Sequence, residues 1–158
     1  MKESFSGKRN FSRADVIIGA TLAGVAVVLG SARPASATPD EVAKFLTTAV
    51  GPGTPTVGKV TIGAPEIAEN GNTVPITITV DSPMTAQNYV KSIVVAADGN
   101  PSPEVAQVML GPANGNANVS FRMRLAKTQT LTAVALMSDG TMWSATRLVK
   151  VTIGGCGG

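Results

Sequence analysis

Residues 74–80 read Val-Pro-Ile-Thr-Ile-Thr-Val, and their alternation decides the architecture. Val74, Ile76, Ile78 and Val80 fall on one face of an extended chain, with Pro75, Thr77 and Thr79 on the other, which is the period of a half-buried β-strand. Pro75 has no N–H to give a ladder and therefore marks an edge position or a strand start. The same period returns downstream, where Val119, Phe121, Met123 and Leu125 alternate with Ser120, Arg122 and Arg124, and it continues from Leu131 to Met137. Further strands are expected at 59–62, 90–96, 105–110 and 142–153, about seven in all.

The segments between them carry turn chemistry. Glu69-Asn70-Gly71-Asn72, Asp98-Gly99-Asn100-Pro101, Gly111-Pro112 to Gly115-Asn116, and Asp139-Gly140 supply residues that tolerate positive φ or preset a turn. No strand alternates with a long helical pattern, so a parallel α/β sheet is not expected. The fold class is mainly β, an immunoglobulin-like antiparallel β-sandwich, without the disulfide and buried-Trp signature of antibody domains and without an internal repeat. Phe121 belongs to the core by its period, Trp143 suits either the core or an exposed binding face, and Arg122 and Arg124 belong on a solvated face.

One short helix precedes the strands. Thr38-Pro39-Asp40-Glu41 is a capping-box pattern with Pro at the first helical position. Val42, Phe45, Leu46 and Val50 then make one apolar face, and Gly51-Pro52-Gly53 stops the helix. It is expected to be a packing element, with partner docking as the alternative.

Ahead of the helix lies an export signal, residues 1–37. Lys2, Lys8, Arg9 and Arg13 form a basic region, Val16 to Gly30 is an uncharged, mostly apolar stretch of 15 residues, and Ala35-Ser36-Ala37 is a small-x-small cleavage site. The stretch is short for a bilayer span of about 20 residues and is interrupted by Gly19, Gly24 and Gly30, which argues against a retained anchor. Lys8-Arg9-Asn10-Phe11 resembles the twin-arginine motif with lysine in the first place, so the Tat and Sec routes both stay open. The mature chain would begin at Thr38, with a folded body over 38–153, a Gly-rich arm over 154–158, and no membrane attachment.

Removing the leader changes the electrostatics. Of 13 basic and 10 acidic residues, five and two precede Thr38, leaving eight of each. The basic pI of 9.3 thus belongs to the leader, and nucleic-acid binding loses its support. The chain has no histidine and a single cysteine. That excludes Ser-His-Asp and Cys-His catalysis, an intramolecular disulfide and an ordinary zinc site; no metal or other cofactor is expected.

The lone cysteine closes the argument. Cys156 stands third from the end, between Gly154-Gly155 and Gly157-Gly158. Glycines offer it no side chain to pack against, and they give the arm wide backbone freedom and a slender profile that fits a narrow channel. At about 3.3–3.6 Å per extended residue, the thiol reaches roughly 10 Å beyond a strand ending at Ile153. No cation lies within the last five residues, and a thiol of ordinary pKa, about 8.5, is only a few per cent ionised at neutral pH. Such a thiol is a poor catalyst and a suitable carrier, with activation and chemistry supplied by partners.

An exported, cysteine-poor β-sandwich ending in Gly-Gly-Cys-Gly-Gly resembles the SoxY family, the carrier subunits of the bacterial Sox thiosulfate-oxidation system. The tail Val151-Thr152-Ile153-Gly154-Gly155-Cys156-Gly157-Gly158 is the specific part. The resemblance implies a periplasmic heterodimer with a SoxZ-like β-sandwich subunit and makes Cys156 the site of covalent sulfur attachment. It implies that a haem protein, SoxAX, joins thiosulfate to Cys156 oxidatively, and that the dimanganese hydrolase SoxB releases the terminal sulfonate as sulfate. The cysteine persulfide left by that hydrolysis is one of the implied intermediates, and in systems with SoxCD the resemblance implies that its sulfane sulfur is oxidised on the carrier and hydrolysed off.

The rival reading is an exported structural or adhesion subunit cross-linked by an interchain disulfide at Cys156; it leaves the four glycines unexplained. An enzyme reading would pair Asp98, Glu104 or Asp139 as acid and base, yet all three lie in or beside turn signals. A cytoplasmic diglycine sulfur carrier conflicts with the leader, and prenylation with the two residues after Cys156.

Overall fold

A computed structural model describes residues 36–152, all within a single compact unit. The leader to residue 35, the end of the last expected strand at Ile153, and the arm with Gly154, Gly155, Cys156, Gly157 and Gly158 lie outside the described residues.

Helix α1 (Pro39–Val50) starts as its sequence dictates. Glu41 N donates to Thr38 Oγ1 at 3.3 Å, and Thr38 N donates back to Glu41 Oε2 at 2.7 Å, a complete capping box. Gly51, with φ 94°, closes the helix by donating its N–H to Thr47 O.

Nine strands follow among the described residues: β1 (Thr56–Val57), β2 (Val60–Gly63), β3 (Ile67–Ala68), β4 (Val74–Val80), β5 (Val90–Ala97), β6 (Glu104–Met109), β7 (Asn118–Met123), β8 (Gln129–Met137) and β9 (Met142–Val151). A 3₁₀ turn at Pro112–Asn114 precedes β7. One sheet has the order β1-β9-β8-β5-β6, with β3 also on β9; the other is β2-β4-β7. The long pairings are antiparallel, whereas β1 and β3 join β9 in parallel. The chain leaves the larger sheet after β1, pairs as β2 with β4 in the smaller one, and returns as β3.

The core lies between the sheets. Val60, Ile62, Val74, Ile76, Ile78 and Val80 of the smaller sheet meet Ile93, Val95, Leu131, Ala133, Ala135 and Val149 of the larger. Each fully buried Ile, Leu or Val contributes about 1.5–3 kcal/mol of transfer free energy. On β5 and β8 the outer face is buried as well. Val94, Ala96 and Val134 are almost wholly inaccessible there, because α1 packs across these two strands. The helix is thus the packing element its apolar face predicts.

Several expectations are refined. The two-residue strands β1 and β3 bring parallel pairs into a sandwich expected to be antiparallel throughout. Pro75 lies in the central strand of its sheet and not at an edge, but near the strand's start: β2 pairs only with Thr77–Val80, so no β2 residue stands opposite the proline. Phe121 is half-buried against the core, as is Trp143, and Arg122 and Arg124 are exposed.

Candidate functional site

The described structure shows the root of the arm and how it is held. Strand β9 pairs with β8 from Met142 opposite Leu136 to Val149 opposite Gln129. Its other edge takes β1 at Trp143 and Ser144 and β3 at Lys150 and Val151. Hydrogen bonds run to the last described residue: Lys150 N donates to Glu66 O (2.9 Å), Val151 N to Thr128 Oγ1 (2.9 Å) and Thr152 N to Ala68 O (3.1 Å). The hydroxyl of Thr152 donates to Glu69 O at 3.4 Å. The end of β9 through Thr152 is therefore fixed on both flanks.

Next to that base lies a polar network that sequence reasoning did not single out. Gln129, opposite Val149 in the ladder, is 3% exposed. Its Oε1 accepts from Gly99 N (3.0 Å), while its Nε2 donates to Asn100 Oδ1 (3.0 Å) and Lys127 O (3.1 Å). Asn100 in turn donates to Arg124 O (2.9 Å) and accepts from Ala126 N (3.0 Å). A buried amide with its carbonyl and N–H₂ both engaged avoids the cost of an unsatisfied polar group. The network ties the β5–β6 turn to the β7–β8 loop at the end of the sandwich that holds Val151 and Thr152. Its sequence signal was a glutamine at an inward position of the period-two run containing Leu131 and Ala133.

The carboxylates considered as an acid–base pair serve turns. Asp98 Oδ1 accepts from Thr130 N at 2.7 Å. Asp139 Oδ1 accepts from Thr141 Oγ1 (2.7 Å) and Thr141 N (2.8 Å), and the Thr141 hydroxyl, then its amide, holds the Asp139 carboxyl below its ordinary value. Asp98 follows the end of β5, near the arm's root, and Asp139 precedes β9, at the opposite end of the sandwich. They cannot act as a pair. Glu104 is an exposed residue at the start of β6. Among the described residues, no group of three or more His, Cys, Asp or Glu is placed to hold a metal ion, and no helix is long and apolar enough to cross a membrane.

Trp143 sits at the Asp139 end. Lys59 Nζ lies 4.6 Å from its ring centroid, a cation–π distance, and the indole N–H is buried without a hydrogen-bond partner. The ring thus packs its face under a lysine and its edge against the core.

Comparison with known proteins accords with this geometry. The family model of the sulfur oxidation protein SoxY matches residues 47–156, a span that reaches Cys156. The structure of the sulfur carrier protein SoxY from Chlorobium limicola f thiosulfatophilum is similar at 33% identity with a TM-score of 0.59, covering 72% of this chain and 98% of that one. A superoxide reductase (neelaredoxin) from Ignicoccus hospitalis is similar at 21% identity and a TM-score of 0.54, covering 60% of this chain and 80% of that one. A putative superoxide reductase from Thermotoga maritima follows at 22% and 0.51, covering 63% and 89%. The two reductases show a shared fold alone. No curated protein matches the chain. With the family model spanning most of the sandwich and continuing through the cysteine of the terminal arm, the chain belongs to the SoxY family of sulfur oxidation proteins.

Proposed function

We propose that this protein is a periplasmic covalent sulfur carrier in thiosulfate oxidation, and that Cys156 holds the sulfur. The observation that carries the reading is the family match extending to residue 156, onto a cysteine set between paired glycines just beyond a firmly held strand end. The chain is exported by its Tat-like or Sec leader, loses residues 1–37 and pairs with a SoxZ-like subunit.

The chemistry balances without a catalytic group on this chain. The Cys156 thiol and the sulfane sulfur of thiosulfate form an S–S bond, releasing the thiol proton and two electrons; a SoxAX-like haem protein accepts the electrons. Water then cleaves the bond between sulfane sulfur and sulfonate in a SoxB-like hydrolase, giving sulfate, a proton and a persulfide on Cys156. A SoxCD-like enzyme, where present, oxidises that persulfide further. The glycines let the arm enter each enzyme, and covalent attachment keeps the intermediates from diffusing away.

Cys156→Ser in a reconstituted system is expected to abolish sulfate formation from thiosulfate while leaving the fold and the pairing with the SoxZ-like subunit intact. Turnover equal to wild type would overturn the carrier reading. Intact mass of protein from thiosulfate-grown cells, with and without reductant, is expected to show reductant-labile sulfur or thiosulfate-derived additions on the C-terminal peptide. A symmetric interchain disulfide alone would favour a cross-linked scaffold.

A further inference from the structure

The arm is short, and that limits where a partner can sit. From Thr152, the last described residue, four residues lead to Cys156, at most about 13–14 Å of extended chain. Any length spent inside a partner's channel is subtracted from this reach. The body of a receiving enzyme must therefore press against the surface around Thr152.

That surface has a defined character. Val149 is buried, so Leu148, Lys150 and Thr152 point to the opposite, outer face of β9. Ile67 stands opposite Lys150 in the parallel pairing and shares that face. Ile67 and Leu148 are each 52% exposed and stand as diagonal neighbours across the β3–β9 pairing, with the exposed Lys150 beside both and the exposed Glu66 next to Ile67; together they form the patch next to Thr152. Two other large hydrophobics are more exposed still, Val57 at 84% and Met109 at 71%, but they lie elsewhere. Val57 pairs with Ser144, about 27 Å along β9 from Thr152, and Met109 lies on β6, beyond two intervening strands and toward the opposite end. A standard interface of about 800 Å² per partner is a disc of roughly 16 Å radius. Centred on Thr152, it takes in Ile67 and Leu148 and leaves out Val57 and Met109.

We propose that the Ile67–Leu148–Lys150 patch is the docking surface for the enzymes that process the Cys156 adduct, and that these enzymes share it and bind one at a time. The inference rests on the carrier reading above. Mutual exclusion follows from geometry, since two protein bodies cannot both occupy the disc that a 14 Å arm allows.

The test uses the heterodimer with purified SoxAX-like and SoxB-like proteins. Ile67→Lys/Leu148→Lys is expected to raise KM for the carrier at least tenfold in both reactions with kcat at saturation nearly unchanged, while alkylation of Cys156 by iodoacetamide keeps its wild-type rate. Val57→Lys and Met109→Lys are expected to leave KM unchanged. Should the double lysine variant fail to fold, Ile67→Thr/Leu148→Thr keeps β-compatible residues and is expected to shift KM in the same direction. An inactivated hydrolase is expected to inhibit the oxidation step competitively. Wild-type KM in the patch variants, equal effects at Val57 or Met109, or a ternary complex of carrier with both enzymes would overturn the proposal. Loss of a concentration-dependent self-association in the patch variants, with KM unchanged, would assign the patch to a second copy instead. Cys156→Ser separates the two levels: activity in that variant refutes the carrier reading, whereas its loss beside unaffected patch variants refutes the docking surface alone.

Discussion

Gly99→Ala tests whether the network beneath the arm is as tightly built as its distances imply. A Cβ at Gly99 would lie 2.6 Å from Gln129 Cβ and 3.0 Å from both Cδ and Oε1 of the same side chain. Gln129 is 3% exposed and cannot swing into solvent without abandoning Gly99 N, Asn100 and Lys127. Overpacking of this kind costs about 1–3 kcal/mol, and a buried group left unpaired costs about 1–3 kcal/mol more. An expected loss of about 2–6 kcal/mol corresponds to a fall in Tm of roughly 4 °C per kcal/mol for a domain of this size. Thermal melts of the isolated protein followed by circular dichroism, combined with urea titrations, measure it. Gln129→Gly removes the obstructing Cβ along with Cδ and Oε1, so Gly99→Ala/Gln129→Gly is expected to be less destabilised than the sum of the single variants by at least about 1 kcal/mol. Additivity within about 0.5 kcal/mol, the behaviour of independent sites, would refute the steric argument.

Further expectations concern the two ends of β9. The carboxyl of Asp139 is held below its ordinary value by Thr141, so its charged form stabilises the turn above the unfolded value near 3.8, and that contribution is lost as pH falls through the lower folded value. Asp139→Asn keeps an acceptor but not the charge; its urea midpoint is expected to lie below wild type at pH 6 and to converge with it in acid. Gly58 has φ 133° with its Cα facing the Trp143 ring at a Cβ distance of 3.5 Å, a conformation L-residues rarely adopt, so Gly58→Ala is expected to cost about 1–3 kcal/mol; the fluorescence of Trp143, the only tryptophan, reports the unfolding. Gly155→Val/Gly157→Val is expected to slow adduct processing by partner enzymes by tenfold or more while leaving Tm within about a degree; equal losses in both would make the tail a packed element.

Much of the fold was legible because most strands carry one buried and one exposed face. Val74–Val80 and Leu131–Met137 announce themselves by alternation, and Thr38-Pro39-Asp40-Glu41 announces the helix start through local chemistry alone. Strands β1 and β3 were not legible. Thr56-Val57 and Ile67-Ala68 have no period to read over two residues, and they are strands only because the edge of β9 offers them partners. The continuous burial of β5 from Ser92 to Ala97 likewise depends on α1 lying across it, a long-range fact. The cysteine and its glycines were readable from residue types. The Ile67–Leu148 patch was not, because its members lie some 80 residues apart and meet only through the parallel pairing of β3 with β9.

That pairing also has a mechanical side. On the carrier reading proposed above, a partner drawing away while it holds Cys156 would load the end of β9, and a pull along the strand axis is the one that end is built to resist. Ladder hydrogen bonds lie across a strand axis, so those to β8, β1 and β3 are loaded together in shear instead of being unzipped in turn. A strand at a bare sheet edge, tugged sideways, would peel. Here β9 itself is sewn in along both seams, by β8 on one and by β1 and β3 on the other, so a load on its end is shared among three partner strands.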